Sequence, residues 1–173
     1  MKTGIDVNTI HKVISNSEFI GYEITNVAEG VSTDVFRLSK NSIVLYLRVL
    51  PKEEKAILQV IAHRKMKDKN VNVPEVLFYE EDVAMLDNRS YMIVSEIAGT
   101  SVKNCNLSNK EKEKIIVDAG KQIALVNSII VKGVGWIDNN LENELIANGQ
   151  NYDDFAINNL SNMLNELETK NII

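Results

Sequence analysis

Ile43-Val44-Leu45-Tyr46-Leu47-Arg48-Val49-Leu50 is the stretch on which the reading of the fold turns. Branched aliphatic and aromatic side chains in an unbroken run predict a strand, and the two-residue period puts Arg48 on the same face as Val44 and Tyr46. A cation on such a strand needs a carboxylate, a phosphate or a path to water, because an unpaired buried charge is strongly unfavourable. The structural alternative is an edge-strand arginine whose stem lies on apolar surface while its head reaches solvent.

Upstream, the Asn41-Ser42 turn joins this strand to VFRLSK (35–40), and the small-residue stretch from Gly30 to Asp34 joins that run to ITNVAEG (24–30). Three strands in an antiparallel meander are predicted. Before them, Ile5, Val7, Ile10, Val13 and Ile14 fall at helical spacing and predict a short helix. Downstream, Pro51 ends the strand, and Lys52 to Lys69 predicts a helix with Ala56, Val60, Ile61 and Ala62 on its buried face. Glu53 and Glu54 fall in the first turn of that expected helix, where acids complement the dipole.

VNVPEVLFY (71–79) is extended around Pro74, and VLFYEEDVAML (76–86) and SYMIVSEI (90–97) form a second hairpin about Asp87-Asn88-Arg89. After Gly99 the pattern is helical. Ser108 and Glu111 make a capping box, followed by a stripe of Ile115, Ile116, Ala119, Ile123 and Ala124 running to about Ile130. GVGWID (133–138) reads as a turn, and Leu141 to Ala147 and Asp153 to Leu167 read as two further helices. The expected architecture is α+β: a five-stranded antiparallel sheet with one intervening helix over residues 1–98, then a helical region over residues 99–173.

Composition narrows the function classes. The chain has 173 residues, 45% hydrophobic and 25% charged, which suits one domain or two small lobes with a buried core. A net charge of -5 provides no basic face for nucleic acid. The acidity is concentrated: residues 138–173 hold 7 Asp/Glu against 1 Lys/Arg. A lone cysteine, Cys105, excludes an internal disulfide and a thiolate metal cage, and points to a reducing compartment. No apolar run approaches the length of a membrane helix, and MKTGIDVNTI lacks a signal-peptide pattern, so a cytoplasmic protein is expected.

Few side chains could carry chemistry by themselves. The turn Glu29-Gly30-Val31-Ser32-Thr33-Asp34 lets backbone amides approach an anion, although a glycine in a β-turn is ordinarily structural and no G-x-G-x-x-G or Walker pattern is present. The two histidines, His11 and His63, lie on expected helices and read as surface or packing residues. With one cysteine and two distant histidines, neither a zinc site nor a Ser-His-Asp triad is expected. The Lys110 to Lys114 cluster reads as a solvated helix face, and Asp153-Asp154 as a helix first turn.

Joined in order, the small-residue turn, the LYLRV strand, the helix, the NVPEVL strand and the YMIVSEIAG strand with its connector resemble the amino-terminal lobe of the aminoglycoside phosphotransferase family, a branch of the protein-kinase-like fold. The resemblance covers roughly Val27 to Asp138, including GVGWID. It implies ATP or GTP with Mg as cofactors and phosphoryl transfer to a hydroxyl of an unidentified small molecule. It places Gly30, Ser32 and Thr33 over the nucleotide phosphates and Arg48 as the cation that holds them. Tyr46 and Val94 would line the adenine pocket, with the Glu96 carbonyl and the Ile97 amide on the adenine edge.

Two departures from the family pattern stand out. The helix position whose glutamate pairs with the third-strand cation falls at or beside Gln59, which can hydrogen-bond Arg48 but cannot neutralise it. The catalytic loop H-G-D-x-x-x-x-N and the metal-binding aspartate that follows it are absent from these residues, and Asp138-Asn139-Asn140 reads as a turn and helix start. The leading expectation is therefore the nucleotide-binding lobe and first helices of a small-molecule kinase, ending before its catalytic loop, truncated and inactive alone. The alternative is a non-catalytic interaction protein derived from that lobe, whose acidic carboxy-terminal helices contact a protein partner. A third is an unrelated α+β fold that shares the strand order.

Overall fold

The computed structural model describes residues 4–27, 33–138 and 144–170. It divides into two compact units, Met1–Ile129 and Ile130–Ile173. In the first, α1 (Val7–Val13) precedes strands β1 (Glu23–Val27), β2 (Asp34–Lys40) and β3 (Ile43–Val49). Helix α2 (Ala56–Asp68), strands β4 (Val76–Val83) and β5 (Arg89–Ser95) and helix α3 (Asn109–Asn127) complete it. The five strands form one antiparallel sheet, as the strand reading expected, and their order in it is β1-β2-β3-β5-β4.

Asparagine and aspartate, which tolerate the left-handed region better than other side-chain-bearing residues, make the turns. Asn41 sits at φ 56 between β2 and β3, and Asp87 and Asn88 at φ 58 and 54 between β4 and β5. Arg89, expected in that second turn, is instead the first residue of β5.

Alternation sorts the sheet into two faces. Phe36, Leu38, Leu45, Leu47, Val49, Tyr91 and Ile93 form one core with Ile10 of α1, with Ile14 just after that helix and with Phe19. Leu50, Met92 and Val94 gather on the opposite face with Ala56 of α2, backed by Tyr46 and Val76. Strand β5 is therefore buried from Arg89 through Val94, at every position.

At the edge of the first core lies an ion pair between Arg89 and Asp34, with side chains only 7% and 12% exposed. Both terminal nitrogens of Arg89 donate to Asp34 Oδ2 at 3.2 Å, and its Nε donates to the Leu86 carbonyl at 3.3 Å. Tyr91 donates its hydroxyl to Glu80 at 3.1 Å. Burial first, and that carboxylate second, push the Tyr91 phenol well above its ordinary value.

Two helix boundaries differ from expectation. Helix α2 begins at Ala56 rather than Lys52, because a Glu54 N–H to Pro51 carbonyl bond of 3.0 Å makes a turn of the residues before it. Glu53 and Glu54 thus precede the helix instead of occupying its first turn. Helix α3 begins where the capping box predicts: the Glu111 amide donates to Ser108 Oγ at 3.4 Å and the Ser108 amide to Glu111 Oε2 at 2.8 Å. The Ser108 hydrogen bonds hold the Glu111 carboxyl below its ordinary value. An Asn72 amide to Gln122 side-chain bond of 2.8 Å ties α3 to the segment before β4.

The second unit is not wholly helical. GVGWID, read as a turn, contains strand β6 (Val134–Ile137), which pairs antiparallel with β7 (Ala147–Gly149) ahead of helix α4 (Tyr152–Thr169). The expected helix over Leu141–Ala147 is not formed where it is described: Ile146 makes a bridge to Lys132 and Ala147 belongs to β7. Residues 141–143 of it, and Asn139 and Asn140, lie outside the described residues.

Close packing explains the glycines here. A Cβ on Gly133 would lie 2.6 Å from the Ala147 carbonyl oxygen, and one on Gly149 would lie 2.5 Å from that of Val134. At Gly135, with φ +106, a Cβ would lie 2.5 Å from the Phe155 ring. Phe155 is therefore the anchor of α4 on the hairpin. Among the described residues no helix is long and apolar enough to cross a membrane.

Two measurements test this account. Asp34→Ala leaves the Arg89 charge buried without this acceptor, so urea unfolding is expected to show a loss of about 3–5 kcal/mol, whereas the double replacement Asp34→Leu with Arg89→Met costs much less. A double-variant loss equal to that of Asp34→Ala would refute the pair's role. For Tyr91 the sign follows from its raised value. The unfolded chain releases that phenolic proton near about pH 10 while the folded chain retains it. Stability contributed below that pH is expected to fall as pH rises further, with one of the five tyrosines ionising only as the protein unfolds, as read by ultraviolet titration.

Candidate functional site

The face of the sheet opposite the α1 core carries the polar side chains, and its register follows from the Asn41-Ser42 turn. Arg48 of β3 is half-buried, with Val35 of β2 on one side and Met92 of β5 on the other. Tyr46, two residues away on the same face, stands between Arg37 and Val94. Val94 is buried, and the Tyr46 hydroxyl donates to Glu96 Oε1 at 3.4 Å. Arg48 has no ion pair or side-chain hydrogen bond among the described residues. The face thus presents an aromatic ring and a guanidinium without a carboxylate partner there, over an apolar floor of Met92 and Val94.

The connector leaves β5 after Ser95, whose Oγ accepts from the Glu75 amide at 2.9 Å and whose amide donates to the Glu75 carbonyl at 2.9 Å. Beyond this point Glu96 and Ile97 are exposed and outside any strand. Among the described residues the Glu96 carbonyl and the Ile97 amide take no backbone hydrogen bond. Such a pair, an acceptor and a donor one residue apart, can address the edge of a planar heterocycle.

The remaining sequence candidates are distributed as follows. Thr33 is half-buried immediately before β2. Gly30 and Ser32 lie outside the described residues. Gln59 is half-buried on α2 and donates to Glu54 Oε2 at 3.4 Å, with no hydrogen bond to Arg48. His63 is buried, its Nδ1 3.1 Å from the Pro74 carbonyl, which is a packing role. Among the described residues no group of three or more His, Cys, Asp or Glu side chains could hold a metal ion.

Two residues on which this geometry depends were not singled out from the sequence. Arg37 shares the face of Arg48 and lies diagonally from it. Its place could have been read from the hairpin, because a two-residue loop at Asn41-Ser42 sets Arg37 opposite Tyr46. Glu81 of β4 is the other. Its Oε1 accepts from the Ile57 amide at 2.7 Å and its Oε2 from the Ala56 amide at 3.2 Å, and Ser90 Oγ of β5 donates to the same carboxylate. A carboxylate thus caps α2, as the dipole requires, but from the far edge of the sheet rather than from Glu53 or Glu54.

The chain is similar to the crystal structure of aminoglycoside phosphotransferase APH(4)-Ia, at a TM-score of 0.64 and 16% identity, over 87% of this chain and 49% of that one. Part of an aminoglycoside-phosphotransferase-like fold is present. A thermostable mutant of APH(4)-Ia in ternary complex with AMP-PNP and hygromycin B gives a TM-score of 0.62 at 16% identity, covering 85% of this chain and 48% of that one. A protein from Ralstonia eutropha assigned to the aminoglycoside phosphotransferases gives 0.51 at 18% identity, covering 72% and 38%. The chain spans about half the length of the APH(4)-Ia structures it matches, and at such identities the likeness is one of fold. No protein-family model and no curated protein sequence matches it. The antiparallel sheet and its helices correspond to a kinase-like amino-terminal lobe.

The cap on α2 is directly testable. Glu81→Gln substitutes an amide that turns an N–H₂ toward the helix donors, and a loss of about 1–3 kcal/mol in chemical unfolding is expected. An unchanged midpoint would show that water replaces the carboxylate without penalty.

Proposed function

We propose that this chain is the nucleotide-binding lobe and first helices of an aminoglycoside-phosphotransferase-like small-molecule kinase, acting in the cytoplasm. The observation that carries the proposal is Arg48: a half-buried cation without a carboxylate partner among the described residues, beside an aromatic ring, on the α2 face of a kinase-like sheet. A nucleotide supplies what that face lacks. Its phosphates would neutralise Arg48, beneath the turn carrying Gly30, Ser32 and Thr33.

The base would lie against Tyr46 and Val94, with its edge on the Glu96 carbonyl and the Ile97 amide. The Tyr46–Glu96 bond holds the ring toward the connector, so the aromatic surface and the backbone pair are positioned together. Gln59, on α2 and set by the Glu81 cap, would add a neutral hydrogen bond near the phosphates rather than a countercharge. The bound nucleotide would provide a transferable phosphoryl group. The 173 residues would contribute its binding and orientation, and the H-G-D-x-x-x-x-N pattern that would supply a base and a metal ligand does not occur in them.

The replacement of the expected helix glutamate by Gln59 favours a second reading, in which the lobe serves as a binding module for a protein partner. Calorimetric titration with a non-hydrolysable ATP analogue separates the two. Saturable binding is expected for the 173-residue chain, weakened roughly tenfold or more by Arg48→Ala and less by Arg48→Lys, in keeping with a hydrogen bond to a charged group of about 1.5–3 kcal/mol. GTP in place of ATP tests the base preference. Absence of saturable nucleotide binding would favour the interaction protein.

A further inference from the structure

Helix α4 turns its apolar side away from the hairpin it rests on. Asp154, Asn158 and Asn162 lie toward β6 and β7, and Phe155, seated on Gly135, makes the apolar contact that docks the helix. At 3.6 residues per turn, Ile157, Leu160, Met163 and Leu164 fall within one arc of about 120° on the other side. Each of the four is between 43% and 62% exposed. A stripe of that width is the means by which a helix joins a core, and among the described residues nothing covers this one.

The charges along the stripe have one sign. Asp153 stands at its amino-terminal end and Glu168 at its carboxy-terminal end, both exposed and in no ion pair among the described residues. Lys170, the one base of residues 138–173, is paired with Glu166 a turn before it. This pattern argues against a second copy as the occupant. Antiparallel pairing that sets Ile157 on Leu164 of the same helix in another copy also sets Asp153 on Glu168, at both ends, because the two pairs share a midpoint. Parallel pairing sets each acid on itself. Both arrangements place like charges together, which is destabilising. An anionic lipid surface would be repelled for the same reason.

We propose that the exposed stripe of α4 docks a basic amphipathic helix of another protein. The partner that fits has apolar residues at three- and four-residue spacing along one face. It carries Lys or Arg at both ends of that face, about 22 Å apart, the rise along α4 from Asp153 to Glu168. Burial of the two apolar stripes supplies the affinity. The ion pairs at the ends add little energy but reject acidic partners and further copies of this chain. The surface lies wholly within the second unit, so it stands or falls apart from Arg48 and the nucleotide reading.

A fluorescein-labelled peptide of about eighteen residues, with leucine along one helical face, lysine at both ends and alanine and glutamine elsewhere, is the probe. Anisotropy titration with the 173-residue protein is expected to give a Kd on the order of 10 μM. Binding about tenfold weaker or worse is expected for the peptide with glutamate in place of lysine, and for one of unchanged composition with its leucines scattered around the helix. Leu160→Gln with Leu164→Gln, both at exposed positions, should weaken binding about tenfold while circular dichroism stays the same. Glu168→Lys, in a last turn where a cation suits the helix dipole, should move the preference toward the acidic peptide by about threefold or more. The proposal is overturned by no saturable binding of the basic peptide, by equal binding of either control peptide, by unaltered binding in the leucine double variant, or by an unmoved preference in Glu168→Lys. It is overturned equally by a dimer in sedimentation that the double variant abolishes, which would give the stripe to a second copy. Binding to phosphatidylglycerol vesicles that the same variant abolishes would give it to a membrane instead.

Discussion

A strand buried on both faces has to be covered twice, and β5 imposes that requirement on everything around it. Tyr91 and Ile93 need the α1 core, whereas Met92 and Val94 need the opposite side, where Ala56 of α2 and Leu50 close over them. The chain meets the demand by placing β5 between β3 and β4, so its backbone is paired along both edges while its side chains are enclosed above and below. Helix α2 must then stay against the β4 side of the sheet, and Glu81 holds it there by joining the helix amides to Ser90 of β5. The polar face with Arg48 and Tyr46 is what remains of the sheet once these obligations are met.

Most of the first unit was legible because its signals are local. Alternation in 35–40 and 43–50, Asn41 in the turn and the Ser108–Glu111 box each act within a few residues, and each is found where the pattern places it. The misreadings involve partners distant in sequence. Lys52 to Glu54 have ordinary helix propensity, but the carboxylate that fixes the start of α2 comes from position 81. GVGW resembles a turn because two of four residues are glycine, yet those glycines admit the Ala147 carbonyl and the Phe155 ring. Nothing within six residues of Gly135 announces that requirement.

The candidate site was partly legible for the same reason. The period of two put Arg48 and Tyr46 on one face, and hairpin arithmetic would have added Arg37. That Gln59 turns to Glu54 could not be read from the sequence, because it depends on where α2 begins.

The pairing of Asp34 with Arg89 bears on the entropy of the turn between β1 and β2. Val27 is paired with Val35 on one side of that turn, and Asp34, its exit, is tied to a guanidinium on a strand two places away in the sheet. Both ends of the segment carrying Gly30, Ser32 and Thr33 are thus anchored by interactions formed when the core forms. The entropy lost in bringing those two ends together is part of the cost of folding, where burial of the core offsets it.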